Sequence, residues 1–388
     1  MRSLNSALLH VAERRSENSR ELQPADSRSL ELSRVAKVDE TSRSNGWFKR
    51  RSATRSCRGP YNGLKPTIAF AQSLRDWGAC SALLLGLLLG TSAAEFAPKP
   101  VPRMQVVPLP DHEFLFQRDG RELARYHYRP EDKRPFLFPV VGPSGQMLTR
   151  MGHPHDPVTH SHHNSMWVSH QFLNEVNFWE DKGRGQIRFL HVEEFTDGID
   201  SASATVLNAW GETNRVFLFE HRRMTAMTLA SNEWLLLLDM KFEANAAPMT
   251  FDKTAFGLAA VRMAKSIGVN DGGGMIRNSE GGVNEPGVHW KAARWVDYSG
   301  AVADNVVEGI TFFDHPINPN HPTVFHVRND GWMGASLTFS NAITVETNKP
   351  LSLRYGFYMH RGLPSTAALD AQWTKFKEIK VAAWPKKR

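Results

Sequence analysis

Six of the sixteen histidines in this 388-residue chain fall within eighteen positions, "HPHDPVTHSHHNSMWVSH", residues 153 to 170. Imidazole changes charge between pH 5 and 8, ligates metals and hydrogen-bonds polar ligands, so such a concentration is a candidate for chemistry. His160 and His162 stand two residues apart and share a face if the backbone is extended, while His163 points to the other. That spacing suits two ligands of a metal completed by a third group from elsewhere. It suits equally an acid/base histidine beside one that holds a sugar hydroxyl, and it suits imidazoles that only hydrogen-bond their neighbours.

The next segment, "NEVNFWED" at residues 174–181, adds Asn177, the aromatic pair Phe178-Trp179, and the acids Glu180 and Asp181. Aromatic faces beside amides and carboxylates suit sugars, whose C–H faces stack on rings while their hydroxyls need acceptors. Trp179 and Trp167 are the candidate platforms, Asn177 a ligand contact, and Glu180 the carboxylate of first choice; a Trp buried in a sheet with surface acids is the plainer alternative. A second polar concentration, "FFDHPINPNHPTVFHVRND" at residues 312–330, offers Asp314, His315, Asn318, His321, His326 and Arg328 among prolines that lower the entropy cost of fixing them. His326 and Arg328 are separated by two in a strand-like run, so both are expected to face one cleft. "LRYGFYMHRG" then ends a strand with Arg354, Tyr358 and His360. Neither a His-Glu-x-x-His helix nor a Gly-x-Ser-x-Gly elbow occurs, so zinc proteases and serine hydrolases gain no support. The glycine-rich "VNDGGGMIRNSEGGVNEPG" lacks the Lys-Ser/Thr ending of a phosphate loop and reads as a loop over a cleft.

The elements that must position these groups are short and β-rich. "HEFLFQRDGRELARYHY" is two alternating strands about Asp119-Gly120, a hairpin dipeptide that tolerates positive φ. "GQIRFLHVEEF", "SATVLNAWG", "RVFLFEHRRMTAMT" and "WLLLLDMKFEA" follow at intervals of roughly 10–15 residues, a spacing expected of β-sandwiches and barrels. A long helical period first occurs in "STAALDAQWTKFKEI", which Ser365 is placed to cap. The fold class expected is all-β, a large antiparallel β-sandwich with few short helices.

The N-terminus reads differently. Residues 1–73 are Arg- and Ser-rich without apolar periodicity, the composition of a disordered extension or of a start assigned too early. Residues 74–94 have the order of a signal peptide: Arg75, an apolar run from Ala79 to Leu89, then Thr91-Ser92-Ala93-Ala94. Residues 95–388 then form a single domain that is secreted or periplasmic and has no membrane span, since no later apolar stretch approaches the roughly 20 residues required. Residues 1–94 hold 15 Lys and Arg against 8 Asp and Glu, which accounts for the whole net charge of +7 and leaves the remainder with 32 of each. Nucleic acid therefore loses its electrostatic warrant as a partner. Both cysteines, Cys57 and Cys80, fall in the same N-terminal part.

Taken together, "THSHHNSMWVSHQFLNEVNFWE", "ARWVDYSG", "DHPINPNHPTVFHVRND" and "LSLRYGFYMHRG" resemble, in order, the blocks of the DUF6807 proteins, over about residues 105–378. The resemblance puts family histidines on His160, His162, His163, His170, His315, His321, His326 and His360, with Asn177, Phe178, Trp179, Asp314, Asn318, Arg328 and Arg354 also on matching positions. It departs at Ser161, which replaces Pro, at Asn164, where an Arg is usual, and at Glu175. The name inherited by many members, methane oxygenase PmoA, implies a membrane subunit, which the missing apolar spans contradict. The resemblance implies instead a galactose-mutarotase-like supersandwich, a fold shared by sugar epimerases, polysaccharide lyases and glycosidase domains.

The expectation is a secreted carbohydrate-active protein with a saccharide or glycan as partner. His162, His326 and Glu180 are the catalytic candidates. His163, Trp167, His170, Asn177, Trp179, His315, Arg328 and His360 are the contacts. Whether it is a hydrolase, lyase or epimerase, or a non-catalytic glycan-binding protein, stays open at this point. No cofactor is required by this reading; a divalent metal on His160 and His162 is the alternative.

Overall fold

The computed structural model describes residues 99–152 and 160–386. The extension 1–73, the signal peptide 74–94, and His153 and His155 of the opening motif lie outside the described residues. Three antiparallel sheets carry the fold. The first has nine strands in the order β1 (Met104–Leu109), β2 (Glu113–Arg118), β3 (Arg121–His127), β4 (Phe136–Val140), β5 (Met166–His170), β13 (Gly257–Arg262), β19 (Trp332–Ser336), β18 (Val324–Arg328) and β15 (Lys291–Ala292). The second has eight: β14 (Met275–Asn278), β16 (Trp295–Ala303), β17 (Val306–Asp314), β21 (Leu351–Arg361), β11 (Trp234–Ala244), β10 (Arg215–Thr228), β9 (Ser201–Glu212) and β8 (Gln186–Thr196). A small sheet of β20 (Ile343–Val345), β12 (Met249–Phe251), β6 (Phe172–Leu173) and β7 (Val176–Asn177) completes the set.

The two large sheets pack face to face because alternate residues of each are apolar and point inward. Phe114 and Phe116 of β2, Met166 and Val168 of β5, and Met333 and Ala335 of β19 meet Leu236 and Leu238 of β11, and Tyr355, Phe357 and Met359 of β21, in one continuous core. The sandwich expected from the sequence is what is observed.

Outside this core the sheets differ in what covers them. Strand β11 reads "WLLLL" because it is buried on both sides, a pattern that loses the polar alternation of a half-exposed strand. Its Leu236 and Leu238 face the central core, while Leu235 and Leu237 join Trp295, Phe313 and Tyr358 beneath Leu369, Trp373 and Phe376 of the helix Thr366–Glu378. Ser365 caps that helix, its hydroxyl accepting from the Ala368 N–H at 3.2 Å. The outer face of the nine-stranded sheet carries instead a separate aromatic cluster of Phe136, Trp167, Trp179, Ala260 and Trp332, edged by Phe138, Met151 and Phe256.

Candidate functional site

The aromatic face is built on one row of register neighbours crossing five strands. Phe136 on β4 faces Trp167 on β5, Trp167 faces Ala260 on β13, Ala260 faces Gly334 on β19, and Gly334 faces His326 on β18. Large residues thus flank two small ones, and a Cβ at Gly334 would stand 2.9 Å from the Trp332 indole. The small pair lets the Trp332 ring lie down on the sheet.

The histidine motif is a turn and not an extended segment. The His163 N–H donates to the His160 carbonyl at 3.0 Å, and the Gly152 N–H donates to the His163 carbonyl at 2.6 Å. Gly152 is required there, since a Cβ would fall 1.7 Å from the His160 carbonyl oxygen. The turn reverses His163 onto its neighbours instead of sending it to the opposite face. Its ring lies nearly parallel to those of His160 (4.7 Å between centroids, 15°) and Trp332 (4.6 Å, 18°), and edge-on to His162 at 4.5 Å. Trp332 then reaches His326 at 5.6 Å, and His326 touches Phe256 at 5.2 Å and His289 at 4.9 Å. The imidazoles of 160, 162, 163 and 326 therefore pack on one aromatic cluster, whose indoles Trp167, Trp179 and Trp332 are themselves buried. Among the described residues no three His, Cys, Asp or Glu side chains are grouped to hold a metal ion.

Arg134, wholly buried just before β4, ties the turn to the tryptophan loop. Its Nη1 donates to the His162 carbonyl (2.9 Å) and Asn164 Oδ1 (2.8 Å), and its Nη2 to the carbonyls of Phe178 (3.0 Å) and Trp179 (2.6 Å). The Asn164 amide oxygen serves Arg134, and a second guanidinium in its place would be repelled. Asn177 shapes the same loop, its Oδ1 accepting from the backbone N–H groups of Trp179 (2.8 Å) and Glu180 (3.0 Å). It positions Trp179 from behind, an Asx-type turn.

Burial governs the electrostatics. The His162 imidazole is pushed down to about 4, first by desolvation and then by the charges of Arg134 and His160, with Asp181 opposing. His163 and His326 are held well below the usual range, again chiefly by burial. All three are neutral at pH 7, each offering one donor and one acceptor. Among the described residues, polar atoms on this face are left without protein partners: Nδ1 of His163 and of His326, the indole N–H of Trp167 and of Trp332, and Nε and Nη2 of Arg262. Buried polar groups are normally satisfied, so a cluster of exceptions in one place calls for a ligand or ordered water.

Several residues proposed from the sequence lie elsewhere. His170 is enclosed at the end of β5, between the Phe172 backbone (2.8 Å) and the Thr338 hydroxyl (2.8 Å), and holds the small sheet to the large one. His360 is fully buried on β21 and bonds Asp297 at 2.8 Å, a carboxylate also taken by Arg277, Ser299 and Thr311. His315 reaches the Lys377 carbonyl at 3.2 Å, against the C-terminal helix. Its whole segment is scaffold: the buried Asp314 accepts from Asn318, His321 and the Thr323 N–H, each within 2.8 Å. Glu180 is exposed, whereas Asp181, which accepts from Ser161 at 2.6 Å, is the acid whose charge acts on His162. Arg328 stands at the rim paired with Glu285 at 3.0 Å, beside a shallow recess of about 500 Å³ lined by Glu285, Pro286, His289, Lys291 and Asn329. Sequence reasoning missed Arg134, Arg262 and Trp332, since nothing in their local spacing marks them; only the register of β13 and β19 brings Arg262 opposite Trp332.

Among the described residues no helix is long and apolar enough to cross a membrane. A search of curated proteins finds no match. Among solved structures, a protein assigned as a kojibiose phosphorylase from the human microbiome aligns with 73% of this chain at 8% sequence identity and a TM-score of 0.32, and the chain spans 37% of that protein's length. The DUF6807 profile matches residues 113–374, from the first strand of the aromatic-faced sheet's β2–β3 hairpin into the C-terminal helix, and the chain belongs to this family of unknown function.

Proposed function

We propose that the aromatic face of the nine-stranded sheet binds a saccharide and that His162, neutral and half-buried at its edge, acts on it as a base. The observation that carries this reading is the cluster of buried, unpartnered polar atoms on an indole floor. Stacked rings take the C–H faces of a sugar while donors and acceptors beside them take its hydroxyls, the combination a pyranose needs and an apolar ligand would leave unsatisfied. His162 is unprotonated at pH 7, so a ring nitrogen is available to accept a hydroxyl proton; burial weakens it as a base and the Asp181 charge partly offsets that. The domain so read works outside the cytoplasm, in keeping with the exported N-terminus expected from the sequence.

Calorimetric titration against a panel of plant and bacterial oligosaccharides tests the reading. Trp167→Ala is expected to weaken binding by roughly 10-fold or more, the worth of a stacked aromatic contact. His162→Ala is expected to abolish turnover of any processed saccharide while leaving its binding within about threefold. Binding unchanged in a folded Trp167→Ala protein overturns the site. Binding without turnover in the wild type reduces the protein to a glycan-binding one. Elemental analysis of untagged protein showing one divalent metal per chain would replace His162 the base by a metal on His160 and His162.

A further inference from the structure

We infer that the saccharide received on this face is an acidic one, and that Arg262 takes its carboxylate. The inference rests on the saccharide reading above and adds the substrate class.

Arg262 ends β13 with its side chain fully buried, opposite Trp332 in the register and two residues from Ala260 on the same face. Its Nη1 donates to Asp330 at 2.9 Å. Nε and Nη2, which share the other edge of the guanidinium, have no hydrogen-bond partner among the described residues. Elsewhere in this chain that edge is where carboxylates dock. Arg354 gives Nε and Nη2 to Asp239 at 2.6 and 3.0 Å, Arg222 gives them to Glu220 at 2.6 and 2.8 Å, and Arg125 gives them to Glu122 at 3.0 and 2.9 Å. Arg262 presents the same fork, wholly buried and without a protein partner among the described residues. A guanidinium does not escape the cost of burial by losing its proton, so an empty buried edge is expensive unless an acceptor arrives.

Three of the neighbouring groups only donate: the indole N–H groups of Trp167 and Trp332 and the Arg262 fork. The Nδ1 atoms of His163 and His326 on the same face can also accept, and so serve the hydroxyls of the same sugar. The nearby carboxylates are engaged, Asp330 by Arg262 and Asp181 by Ser161. A uronate carboxylate offers about four acceptor sites and no donor, and its planar geometry matches the fork.

The test is calorimetric titration of the whole protein with uronate trisaccharides, of galacturonate, mannuronate and glucuronate, each against its own methyl ester. One acid is expected to bind roughly 10- to 100-fold more tightly than its ester, as for a charge-assisted bidentate pair. In Arg262→Met that ratio is expected to fall towards one while binding of the ester persists. If removal of Arg262 prevents folding, the acid-to-ester ratio in the wild type still decides. Equal affinity for acid and ester overturns the inference and leaves the saccharide reading standing. Tighter binding of a sulfated galactan trisaccharide than of any uronate overturns the carboxylate assignment. No binding by any saccharide, acidic or neutral, removes both.

Discussion

Each histidine of the buried set is held neutral by its surroundings, and this couples stability to pH in a definite direction. The imidazoles of His162 and His170 are lowered to about 4 from 6.5, and those of His163 and His326 are held well below the usual range, all chiefly by burial. Between pH 6.5 and 4 the unfolded chain therefore binds protons that the native state refuses, and stability falls as pH falls through that window. Each unit of depression is worth about 1.4 kcal/mol, so His162 and His170 alone, even discounted, amount to several kcal/mol. The urea midpoint is expected to be clearly lower at pH 5 than at 7.5, and His170→Gln is expected to flatten the slope. Equal midpoints at the two pH values would contradict the buried, neutral assignment. At this scale the sequence was informative about residue type and less so about role. Histidines 160, 162, 163 and 326 do meet, but His170, His315 and His360 share their chemistry and serve as buried or surface struts. Spacing cannot distinguish a histidine aimed at a groove from one aimed at a backbone carbonyl, because the difference lies in which distant strand supplies the partner.

Between elements, the site depends on how the turn at residues 160–163 is joined to the loop carrying Trp179. Alternation and turn dipeptides made the strands legible, including β11, whose leucine run follows from cover on both faces. They did not make the histidine turn legible, since "THSHHN" carries no glycine or proline of its own; the glycine that permits it is Gly152, eight residues before His160. Nor could they show that "DHPINPNHPT" folds around Asp314 as a self-contained bracket. The tie between turn and loop is Arg134, which donates to three backbone carbonyls and one side-chain amide. Arg134→Met leaves those acceptors unpaired, and is expected to cost about 2–4 kcal/mol in chemical denaturation and to weaken saccharide binding together with it. Arg134→Lys should rescue little of either, because a single ammonium cannot span both segments as the planar fork does. Full stability in Arg134→Met would mean that turn and loop hold their places independently.

For the molecule as a whole, the sandwich has two outer faces under opposite demands. The nine-stranded sheet keeps an aromatic face with unpartnered polar atoms, whereas the eight-stranded sheet closes its own with the C-terminal helix. The helix buries Leu369, Trp373 and Phe376, each worth about 1.5–3 kcal/mol, against Leu235, Leu237, Trp295, Phe313 and Tyr358. It also supplies polar closure: the Trp373 indole donates to the Asp314 carbonyl at 2.9 Å, Asp370 accepts from the Trp295 indole at 2.9 Å, and the Ile379 carbonyl takes Arg354 at 2.5 Å. The apolar part alone is on the order of 5–9 kcal/mol, comparable to the whole stability of an ordinary domain. Deleting the chain from Pro364 onward would uncover a contiguous apolar strip along β11, β21, β17 and β16, none of them an edge strand that could turn away. The truncated protein is expected to be insoluble or to associate at micromolar concentration, with dye-detected exposed apolar surface and no cooperative thermal transition. The intact helix bearing Trp373→Ala and Phe376→Ala together should show a weaker version of the same defect, melting lower while remaining cooperative. A truncated protein that stays monomeric and melts at the full-length temperature would show that the helix covers a face already stable without it, and the saccharide face could then be isolated on a smaller sandwich.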